Sequence, residues 1–122
     1  MKILIVDDSS AMRKIIQRSL RLAGFEGHQV TEADNGAVAL ELIRNDSPDL
    51  ILSDWNMPQL SGIELLRSIR SEGRNIPFGF VTTESTPDMR MVAHDAGAQF
   101  LLAKPFTPEE MAGVLSSAVK TV

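Results

Sequence analysis

Four short apolar runs punctuate this chain, and each is followed at once by a polar residue: Lys2-Ile-Leu-Ile-Val6, Asp49-Leu-Ile-Leu-Ser53, Pro77-Phe-Gly-Phe-Val81 and Gln99-Phe-Leu-Leu-Ala103. Runs of this length, rich in bulky apolar side chains, read as strands rather than helices. Their apolar character is continuous rather than alternating, which marks strands buried on both faces. A weaker strand is expected around His28 to Glu32.

The segments between the runs change to helical spacing. The first helix starts at Ser9 or Ser10 with an apolar stripe of Met12, Ile15, Ile16, Leu20 and Ala23, stops near Gly24, and carries Arg13, Lys14, Arg18 and Arg21 on a solvated face. A second helix spans Gly36 to Arg44, and Pro48 separates it from the next strand. The third runs from about Ser61 to Arg70 with Ile63, Leu66 and Ile69 inward and Gly73 near its end. The fourth has Thr86 as its N-cap, Pro87 at its first position and Gly97 at its end. Thr107, Pro108 and Glu110 form a capping box for the fifth, in which Met111, Val114, Leu115 and Ala118 recur at helical spacing.

Alternating strands and helices predict crossover units and a parallel sheet. The chain of 122 residues is about half the usual length of a closed α/β barrel, so an open doubly wound α/β sheet is expected. In the flavodoxin-like (βα)5 arrangement the strand order is 2-1-3-4-5, and ligands bind beyond the carboxyl ends of strands one and three. Those two ends carry Asp7, Asp8 and Asp54, while strands four and five are followed by Thr82 and Lys104.

Neighbouring strands lie about 4.8 Å apart, so the acids closing strands one and three stand roughly 5 Å from one another. At an effective dielectric of 20 such a pair repels by about 3 kcal/mol. Protons can relieve this by raising a pKa, but several converging oxygens are better served by a hard divalent cation such as Mg2+, which keeps positions open for a phosphoryl oxygen. Lys104 has a stem long enough to reach Asp54 from two strands away, and Thr82 offers a hydroxyl. Such a set suits phosphoryl transfer with an aspartate nucleophile. A lone Asp-Asp after a strand is most often a turn or cap, but complementary chemistry at four strand ends is hard to explain as capping.

Composition narrows the setting. A net charge of −4 gives no general basic field for nucleic acid, and the absence of cysteine excludes disulfides, thiolate catalysis and cysteine zinc sites. No apolar stretch reaches membrane-spanning length and no signal-peptide layout precedes the first strand, so a single cytoplasmic, monomeric domain over 1–122 is expected. His28 and His94 lie outside any ligand spacing, and Trp55, beside Asp54, offers a fluorescent reporter.

The segments Ile5-Val-Asp-Asp-Ser9, Met12-Arg-Lys-Ile15, Ser53-Asp-Trp-Asn-Met-Pro58, Gly62-Ile-Glu-Leu-Leu66, Val81-Thr82, Gly97-Ala98 and Lys104-Pro-Phe106 together resemble the response-regulator receiver family, particularly its single-domain chemotaxis type. The resemblance covers essentially the whole chain. It implies that Asp54 accepts a phosphoryl group from a histidine kinase, with Mg2+ held by Asp7, Asp8, Asp54 and the backbone carbonyl of Asn56. It further implies that Thr82 and Lys104 bind phosphoryl oxygens, that the Lys104-Pro105 peptide is cis, and that Asn56 and Glu84 flank the path of the hydrolytic water. The implied partners are a sensor histidine kinase, an effector protein, with the flagellar motor switch a candidate, and a phosphatase. The protein is then a phosphoacceptor switch rather than an enzyme.

Three positions depart from the family pattern. Leu101 replaces the usual Tyr or Phe, with Phe100 expected on the opposite strand face; Thr83 is bulkier than usual; and Thr86-Pro87 replaces the lysines of some motor-binding relatives. Two other readings stay open. One is a phosphorylation-independent scaffold or phosphate sink. The other is a magnesium phosphohydrolase resembling the haloacid dehalogenases, which however set two acids two residues apart on the nucleophile strand and carry a cap domain.

Overall fold

Capping residues, rather than changes in hydrophobicity, set where each helix starts. The computed structural model describes residues 1–25 and 29–118. Their order is β1 (Lys2–Val6), α1 (Ser10–Leu22), β2 (Gln29–Ala33), α2 (Gly36–Asn45), β3 (Leu50–Ser53), α3 (Gly62–Ser71), β4 (Phe78–Thr82), α4 (Pro87–Ala96), β5 (Phe100–Ala103) and α5 (Pro108–Ala118). The side chains of Ser9, Asn35, Ser61 and Thr86 each accept the backbone N–H three residues on, opening α1 to α4. Thr107 and Glu110 exchange reciprocal hydrogen bonds of 2.9 and 3.1 Å before α5, as the capping box predicts. Gly97 ends α4 at φ 102°, a left-handed conformation that glycine adopts without steric cost.

β1 spans the expected Lys2–Val6, whereas β3, β4 and β5 each begin one residue later than expected. β2 begins at Gln29 and reaches Ala33, and His28 lies outside the described residues. β4 runs to Thr82, so this threonine is the last residue of the strand rather than the first beyond it. All neighbouring strands pair parallel in the order β2-β1-β3-β4-β5, the expected flavodoxin-like arrangement.

Side-chain alternation along the strands divides the core into two layers. Leu4, Val6, Ile51, Phe78, Phe80 and Leu101 face α2, α3 and α4, joining Ile43, Leu66, Ile69 and Ala93. Ile3, Ile5, Leu50, Leu52, Val81 and Leu102 face the other way, toward Ile16 and Leu20 of α1 and Met111 and Leu115 of α5. Leu101 and Phe100 thus pack in opposite layers, as expected. Phe100 lies beside Gly79 in the β4–β5 register, and its ring occupies the space a Cβ at Gly79 would need.

α1 departs from the expected stripe. Ile16 and Leu20 are buried, but Ile15 is 50% exposed and Ser19 turns inward in its place. Positions 16, 19, 20 and 23 lie on one side of a helix of 3.6 residues per turn, while position 15 is rotated about 100° from 16. Among the described residues no helix is long and apolar enough to cross a membrane.

Candidate functional site at the carboxyl ends of the strands

Parallel pairing brings the strands' carboxyl ends to one edge of the sheet. The register that sets Val6 beside Ser53 makes Asp7 and Asp54 neighbours. One carboxylate oxygen from each of Asp7, Asp8 and Asp54 lies within 4.8 Å of the others, meeting the spacing expected of adjacent strand ends. The cluster is graded in depth: Asp7 is buried, Asp54 is partly buried and Asp8 is exposed.

Lys104 enters from β5 and contacts two of these acids. Its Nζ is 2.8 Å from Asp7 Oδ2 and 3.5 Å from Asp54 Oδ2. The spacing of strand ends aims this lysine at Asp54, whereas its shorter contact is with Asp7. The difference is electrostatic: Asp7 is 1% exposed, and a carboxylate so far from water needs a paired cation. The Lys104-Pro105 peptide is cis.

Backbone donors complete the acids' environment. Asp7 Oδ1 accepts the Ser9 N–H at 2.9 Å and Asp54 Oδ1 accepts the Trp55 N–H at 2.7 Å. Thr82 is fully buried, its hydroxyl accepts the Glu84 N–H at 3.5 Å, and its side chain favours the ionised form of Asp54. Asn56 sits exposed at the rim, and its Nδ2 donates to Glu84 Oε1 at 3.3 Å across the mouth of the site. Thr83 is exposed. Trp55 stacks on Phe80 with ring centroids 4.7 Å apart, which ties the reporter indole to the core below Asp54.

Burial pushes the Asp54 carboxyl above its usual range. The Lys104 charge opposes this, Asp7 adds to it, and hydrogen bonds from Trp55 and Thr82 oppose it. A carboxyl with a raised folded-state pKa favours folding while protonated. That contribution is fully present below the unfolded pKa of about 3.9 and is lost as pH rises through the folded value. Asp54→Asn should therefore raise the thermal midpoint by a few degrees at pH 7, and the gain should vanish toward pH 3. Thermal melts across that pH range check both; a lower midpoint at pH 7 would contradict it.

Three carboxylates converging within 4.8 Å, one of them open to solvent, fit a hard divalent cation that prefers oxygen ligands and retains waters. Arg13, expected on the solvated face of α1, is only partly exposed. Its Nη1 donates to the Asp7 carbonyl at 2.6 Å and its Nε to Glu32 Oε1 at 2.8 Å. The available signal was an arginine in the first turn of the helix that follows the acid pair.

A doubly wound parallel sheet in this strand order, with an acid cluster, a buried hydroxyl and a lysine at its switch point, defines the receiver class. Residues 3–116 match the response regulator receiver domain, and the chain belongs to that family. It is similar to the chemotaxis protein CheY of Pseudomonas aeruginosa, 43% identical over 111 residues that cover 89% of this chain and 88% of the relative. CheY1 of Helicobacter pylori is 41% identical over 112 residues, covering 89% of each. Among solved structures, CheY4 of Vibrio cholerae superposes with a TM-score of 0.85 at 32% identity, covering 97% of this chain and 98% of that one. A receiver domain protein from Clostridium thermocellum gives 0.82 at 28% identity, covering 96% and 92%.

Proposed function

We propose that the protein is a phosphorylation switch of two-component signalling, taking a phosphoryl group on Asp54 from a sensor histidine kinase. The observation that carries this reading is the placement of one lysine amine between Asp7 and Asp54 inside a cluster of three acids. A structural ion pair needs one acid, whereas three acids, a cation and a buried hydroxyl suit a phosphoryl group with a metal.

Asp7, Asp8, Asp54 and the backbone carbonyl of Asn56 are the proposed ligands. When bound there, Mg2+ supplies charge neutralisation and a coordination position for a phosphoryl oxygen. An Asp54 carboxylate oxygen forms the bond to phosphorus while the P–N bond to the donor imidazole breaks, and the nitrogen keeps the electron pair. Lys104 exchanges its carboxylate contact with Asp54 for a phosphoryl oxygen, and Thr82 turns its hydroxyl to another. In the second, hydrolytic step a water oxygen bonds to phosphorus while the phosphorus bond to Asp54 breaks, the carboxylate keeps that electron pair, and inorganic phosphate and a proton leave. Asn56 and Glu84, bridged across the mouth, flank that water's path.

The chemotaxis names of its relatives support a place in chemotaxis or a related cytoplasmic pathway, with output through an effector protein such as a flagellar motor switch and reset by a phosphatase. Leu101 is 7% exposed and packs in the layer under α4, so the readout runs through Thr82 and the loop to Glu84 rather than through a swinging aromatic ring.

Incubation with Mg2+ and acetyl phosphate, followed by intact mass and Trp55 fluorescence, tests this. The expected result is one labile phosphoryl group that requires Mg2+ and is absent in Asp54→Ala. No gain despite Mg2+ binding would indicate a scaffold. Steady turnover of unrelated phosphate esters would indicate a hydrolase.

A further inference from the structure

We propose that Arg13 is a positioning residue for the metal-binding acids, holding the Asp7-Asp8 peptide where the exposed Asp8 carboxylate converges on Asp7 and Asp54. This inference rests on the magnesium reading above.

Arg13 belongs to the first turn of α1, yet its side chain is only 16% exposed because it reaches back over the end of β1. Its planar guanidinium is anchored on two other elements at once: Nη1 on the Asp7 carbonyl at 2.6 Å and Nε on Glu32 of β2 at 2.8 Å. The gripped carbonyl belongs to the peptide bond that joins the two acids. Peptide planarity means that fixing this C=O also fixes the direction in which Asp8 leaves.

Every other polar group of Asp7 is also tied. Its N–H donates to the Ala33 carbonyl at 3.0 Å, Oδ1 accepts from Ser9 N at 2.9 Å, and Oδ2 pairs with Lys104 at 2.8 Å. Asp8 differs: it is exposed, and its carboxylate accepts no hydrogen bond among the described residues. Its place in the cluster is therefore inherited from the peptide plane that Arg13 holds.

The ion pair with Glu32 also matters for sign. An unpaired arginine near three carboxylates would compete with a metal cation, but Glu32 at 2.8 Å offsets the guanidinium charge. What remains is a geometric role, and it requires a fork. Lysine carries the same charge on a single nitrogen and cannot reproduce two donors in fixed relative orientation.

The test is a Mg2+ titration of the full chain by Trp55 fluorescence, joined to the Mg2+ dependence of phosphoryl uptake from acetyl phosphate. Arg13→Ala should weaken Mg2+ binding roughly 10-fold or more, the range seen when residues that orient metal ligands are removed. Its uptake rate at saturating Mg2+ should match the unmodified protein, which a general loss of structure would not allow. Arg13→Lys should be weakened similarly and Glu32→Gln by a few-fold, whereas Arg18→Ala, on the exposed face of the same helix, should be unchanged. Should Arg13→Ala fail to fold, Arg13→Gln carries the same expectation. Unchanged or tighter binding in the Arg13 variants overturns the proposal, as does full rescue by lysine, which would assign the effect to charge alone. Absence of any saturable Mg2+ response in the unmodified protein would instead overturn the magnesium reading.

Discussion

Gly62→Ala is expected to destabilise the protein by about 3 kcal/mol, the upper part of the usual range for overpacking a well-filled core. Gly62 opens α3, and its N–H donates to the Trp55 carbonyl at 2.8 Å, so the helix start is pinned against the segment that follows β3. A Cβ here would fall deep inside the contact radius of the Asp54 carbonyl oxygen and 2.9 Å from the Phe80 ring. The first obstacle is backbone and cannot rotate away. Either α3 withdraws or the peptide of Asp54 shifts, and the second course displaces the proposed phosphoacceptor itself. Denaturant melts should therefore show a lower midpoint at unchanged slope, and phosphoryl uptake should fall further than stability alone requires. Gly113→Ala is the matched control. It lies inside α5 with nothing within 4 Å of a new Cβ, so it should stabilise by roughly 0.5–1 kcal/mol through helix propensity. A near-native midpoint for Gly62→Ala would show that the β3–α3 connection yields cheaply.

Lys104→Met should be similarly damaging for an electrostatic reason. Asp7 and the Lys104 side chain are 1% and 8% exposed, and Lys104 also lies 3.5 Å from Asp54. Removing one partner of a buried ion pair leaves an uncompensated charge, at a typical cost of about 3–5 kcal/mol. Here the orphaned Asp7 would also face Asp8 and Asp54 within 4.8 Å. Three consequences distinguish this from lost packing. The deficit at pH 7 should shrink as the pH falls and the acids take up protons. Mg2+ should stabilise the variant more than the unmodified protein, because a metal cation replaces the missing charge. Adding Asp7→Asn should recover a large part of the loss, with a coupling energy of about 1–3 kcal/mol. Denaturant midpoints at pH 7 and pH 5, with and without Mg2+, read all three. A single variant within about 0.5 kcal/mol of the parent at pH 7, the range of ordinary surface changes, would show that water enters the site and screens the acids.

The stability and chemistry of this protein meet in the same residues. Asp54 is held above its usual pKa chiefly by burial, which disfavours the ionised nucleophile that phosphoryl transfer needs. Lys104 relieves that cost in the resting state and is proposed to bind the phosphoryl group in the modified one. Asp54→Asn is thus expected to raise stability while abolishing phosphoryl uptake, a separation that a purely structural aspartate would not produce.

The amino-acid sequence by itself determined the number and order of the elements, the parallel sheet, the helix caps at Ser9, Thr86 and Thr107 and the strand-end positions of Asp7, Asp8, Asp54 and Thr82. These are consequences of local pattern. A continuous apolar run must be a buried strand, Thr107 with Glu110 caps a helix wherever the helix goes, and strand alternation sends Leu101 and Phe100 to opposite layers. Tertiary structure alone decided the rotation of α1, which leaves Ile15 outside and brings Ser19 in, because its packing against β1 and α5 selects one of several nearly equivalent helix faces. It alone gave Lys104 its shorter contact with Asp7, and it alone turned Arg13 from an apparent surface charge into a clamp between β1 and β2. Long, flexible charged side chains carry no local signature of their partners. Their contacts follow from which carboxylate or carbonyl the fold has removed from water within their reach.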